Sequence, residues 1–228
     1  MKKDDLLRMK SGIAGLDIML EGGFPFPSTI LLAGAAGTGK TTFCLQFLME
    51  GAKNGEKGLF FTTLSEPTSW MLRYTSRFNF INPQYFNREI KYIEIGQVIV
   101  DARDYREILD YLDEQIGQVQ PQRIVIDPVT VIEHVMKGNY REFLYQLSVR
   151  LKNWQATSII TGEVLPDQMY PVEVSYTADG VILLTYELLN DGRRKYLEIL
   201  KMRGTNHHTG RHLMDITYDG VQVQPGLR

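Results

Sequence analysis

The sequence predicts an α/β protein: a mainly parallel sheet with helices on both faces and a C-terminal antiparallel β-hairpin extension. Two observations point there. Over residues 28–161 short apolar runs with strand character alternate with helical patterns, the rhythm of parallel strands joined by crossover helices. After residue 180 the helical spacing stops, and two β-patterned runs flank Asn190-Asp191-Gly192, a strong hairpin signal.

In chain order, STILLAG (28–34) reads as a buried strand ending in glycine. TTFCLQFLMEGAKNG (41–55) reads as a mostly buried helix: Phe43, Phe47, Leu48 and Met49 fall at mixed spacings and Gly55 closes it. GLFFTT (58–63) is a strand, TSWMLRYTSRF (68–78) a helix and IKYIEI (90–95) a strand. In REILDYLDEQI (106–116), Ile108, Leu109, Leu112 and Ile116 recur at helical intervals. RIVID (123–127) is a strand, REFLYQLSVRLKNW (141–154) a helix and ATSIIT (156–161) a strand. Tyr105, Tyr111, Tyr140 and Tyr145 sit within helical patterns and are expected to pack, as is Cys44 in its apolar helix. The β runs of 180–202 and a last strand, LMDITYD (213–219), end the chain. No repeat, low-complexity tract or Gly/Pro/Ser-rich linker interrupts this order, so one domain over 1–228 is the economical reading.

The composition is that of an ordinary globular protein, 43% apolar and 23% charged. A net charge of −2 gives no general pull toward nucleic acid or an anionic membrane. Cys44 is the single cysteine, which rules out an intrachain disulfide and suits a reducing interior. The start, MKKDDLLRMK, lacks the apolar segment of a signal peptide, and no run approaches the ~20 apolar residues of a membrane span. A cytoplasmic protein with no membrane partner is expected.

Residues 34–41 read GAAGTGKT, a phosphate-loop pattern from Gly34 through Ala35, Ala36, Gly37, Thr38 and Gly39 to Lys40 and Thr41. An apolar strand precedes it and an apolar helix follows, which is the context the chemistry needs. Glycines let backbone N–H groups wrap an anion, and a helix N-terminus adds a favourable field. Lys40 is expected at the β- and γ-phosphates of ATP, with the Thr41 hydroxyl on Mg²⁺ and Thr42 beside it in the nucleotide set. Asp127 closes RIVID, on a strand expected to neighbour the loop, where a carboxylate holds Mg²⁺ or its water shell. The competing reading of Asp127 is the start of an Asp-Pro turn.

Together with this loop, SGIAGLDIMLEGGFPFPSTILL before it, LSEP, VID, ADGVILL (178–184) and KMRGTNH (201–207) resemble the KaiC-like branch of the RecA superfamily of P-loop NTPases. The resemblance covers essentially the whole chain. It implies a RecA-like P-loop NTPase core, ATP bound between adjacent subunits of a hexameric ring, and a carboxylate pair that activates the attacking water. Here Ser65 stands at the first acidic position and only Glu66 remains as the base, which points to a slow ATPase. Ser65 and Glu66 also suit a helix start, as N-cap and first-turn acid. Thr161 and Glu163 fall where the resemblance implies a polar nucleotide sensor, and a plain strand end is the other reading.

The stretch KMRGTNHHTGRH (201–212) concentrates charge and three of the chain's four histidines. A metal site is disfavoured, because His208 and His212 make a usable i, i+4 pair only in a helix and Gly210 with flanking β patterns argues against one. Single-stranded DNA is also not favoured. RecA-type recombinases hold it on two loops; here the second, residues 162–179, carries four acids and no Lys or Arg, and the first, DPVTVIEHVMKGNYRE, is roughly balanced. Tyr170 and Tyr176 keep base stacking open. The third reading is a finger acting in trans: Lys201 and Arg203 lie two apart on a β pattern and share a face. By the resemblance they reach the γ-phosphate held by the neighbouring subunit, and His207 follows near the same phosphate. The other reading is a solvated basic edge that protects the sheet. His208 and His212 are expected at the surface, and His134 is assigned no role. The leading function is a slow Mg²⁺-dependent ATPase in a homo-oligomeric ring that engages an unidentified protein partner. A DNA-binding accessory factor and a non-hydrolysing ATP switch are the alternatives.

Overall fold

The structure, a computed structural model, describes residues 6–64, 67–86, 88–134, 136, 138–164, 170–190 and 192–226. The N-terminal segment forms β1 (Arg8–Met9), α1 (Leu16–Met19) and β2 (Phe24–Pro25), with β1 and β2 paired antiparallel. Then come β3 (Thr29–Gly34), α2 (Lys40–Lys53), β4 (Gly58–Thr62), α3 (Thr68–Thr75), β5 (Ile90–Glu94), α4 (Gly96–Asp101) and α5 (Tyr105–Val119). The second half holds β6 (Arg123–Asp127), α6 (Tyr140–Asn153), β7 (Thr157–Glu163), α7 (Val172–Thr177), β8 (Gly180–Leu189), β9 (Gly192–Met202), β10 (Arg211–Thr217) and β11 (Gly220–Gln224).

Nine strands form one sheet in the order β11-β10-β9-β8-β3-β7-β6-β4-β5. From β8 to β5 every pair is parallel, and β8 to β11 continue antiparallel. β3 and β4 are buried at every residue, which is why they read as unbroken apolar runs rather than alternating ones. One face packs against α2 and α3 through Phe43, Phe47, Phe60 and Met71. The other packs against α5, α6 and α7 through Leu109, Leu112, Phe143, Leu147 and Val174. α5 shows how locally these elements are specified. The Asp104 carboxylate caps its start by accepting from the Arg106 amide at 2.9 Å, and Ile108, Leu109, Leu112 and Ile116 make its buried stripe.

A long-range strut completes the core. Arg123, at the start of β6, is 1% exposed and pairs with Glu56 at 2.5 Å. It also donates to the carbonyls of Lys10 and Phe47, each at 2.8 Å, and its guanidinium lies 4.5 Å above the Phe47 ring. The N-terminal segment, α2 and β6 are thereby tied through one side chain.

Four expectations need correction. β7 lies between β3 and β6, so the Asp127 strand is not the direct neighbour of the phosphate-loop strand. The last strand is Arg211–Thr217 rather than 213–219, because His212 and Met214 point into the core, and Asp219 lies in the turn to a further strand, β11. Tyr145 is 58% exposed: the buried positions of α6 include Phe143, Leu144, Leu147 and Leu151, and residue 145 falls on the opposite side of the helix. His212 is 5% exposed, and His208 is half-buried, so neither is a free surface residue. The α2 start at Lys40 and the burial of Cys44, Tyr105 and Tyr140 agree with the sequence reading.

Candidate functional site

β3 delivers Gly34 to the C-terminal edge of the parallel sheet, and α2 opens six residues later at Lys40. A Cβ at Gly34 would come within 2.7 Å of both the Leu184 carbonyl and the Thr38 hydroxyl, so the loop leaves room for glycine alone there. Gly39 (φ 106°) turns the chain into α2, whose first-turn amides have no side-chain cap. Uncapped N–H groups at the start of a 14-residue helix suit an anion. Lys40 Nζ donates to the carbonyls of Gly34 at 2.8 Å and Ala35 at 3.1 Å, which holds the ammonium inside the loop. Burial lowers its pKa, and the charges of Glu163 and Asp127 oppose that shift.

Beside the loop, Thr41 donates to Asp127 Oδ2 at 2.7 Å, and Thr161 on the intervening β7 donates to Asp127 Oδ1. Burial pushes the Asp127 carboxyl above its ordinary value, and the hydrogen bonds from Thr161 and Thr41 and the Lys40 charge pull the other way. The hydroxyl and carboxylate are hard oxygen donors. They fit Mg²⁺, which is held by one or two carboxylates together with substrate phosphates rather than by an all-protein cage. Among the described residues no group of three or more His, Cys, Asp or Glu side chains could form such a cage.

The loop floors a cleft of about 430 Å³ that Ala36 and Thr42 also line, a volume suited to a nucleotide-sized ligand. Sequence reasoning missed several contributors to its walls, among them Phe60 and Thr62 of β4, Tyr92 of β5, Lys195 of β9 and Ile216 of β10. The C-terminal strands curl back onto the loop so closely that a Cβ on Gly39 would meet Ile216 Cδ1 at 2.4 Å. The β alternation of those strands was legible, but nothing in it says which cleft they face.

Lys201 and Arg203 lie elsewhere. Lys201 Nζ donates to the Ala178 carbonyl at 2.6 Å, and Arg203 pairs with Asp179 Oδ1 at 2.9 Å. Asp179 in turn bonds the backbone of Thr29, at the start of β3. Gly34 is at the other end of that strand, roughly 17 Å away at the rise of a β-strand. The two basic residues therefore sit together, at the opposite edge of the sheet from their own cleft. His207 is half-buried with Nε2 at 3.2 Å from the Ile199 carbonyl, and burial, then the charge of His208, lowers its pKa. The His208 and His212 rings are 6.2 Å apart, and His212 Nδ1 accepts from the Gly226 amide at 2.9 Å. Ser65 and Glu66 lie outside the described residues; Leu64 before them lines the cleft.

A parallel sheet with a glycine loop at one strand end, a lysine and threonine opening the next helix, and a buried aspartate two strands away defines a P-loop domain of the RecA type. The chain belongs to the KaiC ATPase family, whose sequence model matches residues 9–228. It is 33% identical to the UPF0273 protein PH0284 of Pyrococcus horikoshii over 96% of this chain and 94% of that one. It is 30% identical to the circadian clock oscillator protein KaiC of Parathermosynechococcus lividus, of which it spans 42%. The crystal structure of the KaiC-like protein PH0186 from Pyrococcus horikoshii superposes with a TM-score of 0.86 at 32% identity, covering 96% of this chain and 100% of that one. Nucleotide binding is what this membership implies. Among the described residues, no helix is long and apolar enough to cross a membrane.

Proposed function

We propose that the protein is a slow Mg²⁺-dependent ATPase working as a single domain in a homo-oligomeric ring, each nucleotide site being completed by the next subunit. ATP occupancy then controls assembly or the engagement of another protein. The observation that carries this reading is the separation of the phosphate loop and the Lys201–Arg203 pair to opposite edges of one sheet. Groups so placed meet only when one copy stacks its finger edge on the loop edge of another, a head-to-tail contact that closes into a ring when the rotation permits.

In this reading the loop amides and Lys40 bind the phosphates of ATP. Mg²⁺, when bound, neutralises charge on the β- and γ-phosphates. Thr41 and Asp127 hold it, and Thr161 fixes the Asp127 carboxylate from the other side. Glu66 orients the attacking water as the sole acid of its position, and Ser65 in place of a second carboxylate supports a slow rate. Arg203 and Lys201 stabilise the charge that develops on the neighbour's γ-phosphate, and His207 lies close by in the same segment.

The test pairs mass by light scattering, with and without ATP and Mg²⁺, with phosphate release. Arg203→Ala should bind ATP and lose turnover by ~10³-fold or more. Mixing it with Lys40→Ala should restore part of the activity through hybrid interfaces. Wild-type turnover by Arg203→Ala would end the shared-site reading.

A further inference from the structure

Accepting the shared-site reading, we propose that Arg8 is a positioning residue for the finger of Lys201, Arg203 and His207. With Glu21 it grips the turn that separates Arg203 from His207, and so fixes what the chain presents to the next subunit. That turn has little to hold it from within. Gly204 stands at φ 66°, and the Thr205 amide closes on the Met202 carbonyl at 3.3 Å, so the chain leaves β9 sharply after Arg203. Residues 203–210 belong to no helix or strand, and Arg203, Gly204 and Asn206 are exposed. An exposed turn without ladder hydrogen bonds opens easily unless side chains from elsewhere reach it.

The N-terminal segment supplies that reach. Arg8, on β1, donates from Nη1 to the Thr205 hydroxyl at 2.6 Å and to the Gly23 carbonyl at 3.4 Å. From Nη2 it donates to Glu21 Oε2 at 3.0 Å and to the Gly204 carbonyl at 3.3 Å. The same Glu21 oxygen accepts from the Asn206 amide at 3.3 Å. Gly204, Thr205 and Asn206 are thus each bonded to the Arg8–Glu21 pair. Beyond them the His208 amide donates to the Met19 carbonyl of α1 at 3.1 Å. The Arg8 side chain is 18% exposed, and its planar fork meets a carboxylate, a hydroxyl and two carbonyls at once, which a lysine cannot do. Asp179 holds Arg203 from the strand side, through the Arg203 amide, and Arg8 holds the next three residues from the turn side. Neither Arg8 nor Glu21 lines the nucleotide cleft of its own chain. The clamp therefore serves the finger half of a shared site and not the loop half.

The experiment uses the full chain with ATP and Mg²⁺, and sorts variants by the half of a shared site they damage. Arg8→Met should lower kcat about tenfold with the Kd for ATP unchanged, the effect of a small misplacement of a group that acts on the phosphate. Mixed in equal amounts with Lys40→Ala, which keeps its finger, it should reach about a quarter of wild-type turnover, the share of random interfaces that pair an intact loop with an intact finger. Mixed with Arg203→Ala it should give roughly fivefold less, because every interface then has a damaged finger. Arg8→Lys keeps a charge beside Glu21 without the fork. It should lose about threefold in kcat and still turn over about twice as fast with Lys40→Ala as with Arg203→Ala. A loss of packing that is general to the chain has no such preference for one partner. Wild-type kcat in Arg8→Met, or equal turnover of both Arg8 variants with the two partners, overturns the proposal. The shared site itself is judged by mixing Arg203→Ala with Lys40→Ala. No recovery there ends that reading and the clamp with it, whereas recovery there beside an indifferent Arg8 ends the clamp alone.

Discussion

Replacing Asp127 by asparagine should stabilise the protein in the absence of nucleotide and cripple its response to Mg²⁺-ATP. The carboxylate accepts hydrogen bonds from Thr41 and Thr161. An amide of the same shape keeps both, since a threonine hydroxyl can accept as readily as it donates. What changes is the charge. The upward pKa direction at Asp127 says that burial outweighs the attraction of Lys40 and the two hydroxyls together, so the neutral side chain is the more comfortable one. Relief of one such group is worth about 0.5–2 kcal/mol, and each kcal/mol is about 2–4 °C of Tm in a chain of this size. A raised carboxyl pKa means that the folded state holds its proton more tightly than the unfolded chain does. Its stabilising contribution is complete below the ordinary value of 3.8 and is lost as pH rises through the folded value. The variant's advantage should therefore grow as pH rises from that region toward neutrality. With Mg²⁺-ATP the order should invert. Ligand at about 100 times its Kd adds about 2.7 kcal/mol to the wild type, and less to a variant that has lost its metal-holding oxygen. Differential scanning calorimetry with and without Mg²⁺-ATP reads both effects. A variant that melts below the wild type without nucleotide refutes the primacy of burial, and equal ligand shifts refute the metal role.

Arg123→Met should lose about 2–4 kcal/mol, seen as a lower urea midpoint at unchanged slope, because the buried Phe47 carbonyl and the part-buried Lys10 carbonyl lose their donor and Glu56 loses its partner. Cys44 is fully buried, and burial pushes its thiol well above 9.0, so an aromatic disulfide reagent should titrate it only after denaturation. Fast labelling of the folded chain would contradict the packing of α2.

Much of this architecture was legible because it is locally encoded. GAAGTGKT needs only its own glycines and the strand and helix on either side, and the structure has that strand and helix within a residue or two of the expected bounds. The helices of 106–116 and 141–154 follow from apolar spacing, which decides a buried face without reference to the rest of the chain. What escaped is set by strand order. The insertion of β7 between β3 and β6 puts Thr161, rather than the loop strand, against Asp127, and no local pattern encodes which strands are neighbours. Ile216 and Lys195 were missed for a related reason: they reach the cleft because the antiparallel strands curl over α2, and that curvature arises from packing. Tyr145 shows the limit of counting helical residues, since membership of a helix does not say which side faces the core. Arg123 read as an ordinary strand start, and its three distant partners gave it no local signature.

The placement of Arg203 bears on how a shared site could work. Its backbone N–H donates to the Asp179 carbonyl at 3.0 Å, and Asp179 is bonded to Thr29 through both its amide and its carboxylate, so the point from which the side chain springs is rigid. The Arg203 side chain is 59% exposed, and its guanidinium is held by one carboxylate oxygen, which also lies 3.5 Å from Lys152. An exposed pair of this kind is worth about 0–1 kcal/mol, and the oxygen shared with Lys152 keeps a cation beside it when Arg203 leaves. A phosphate presented by a neighbouring subunit can therefore take the guanidinium at small cost while the backbone stays in place. In the proposed shared site the Asp179 carboxylate would supply a parking position and the strand end the aim. A rigid origin and a loosely held tip are what the proposed finger requires, and Arg123, with every hydrogen bond buried or half-buried and 1% of its surface exposed, is built the opposite way.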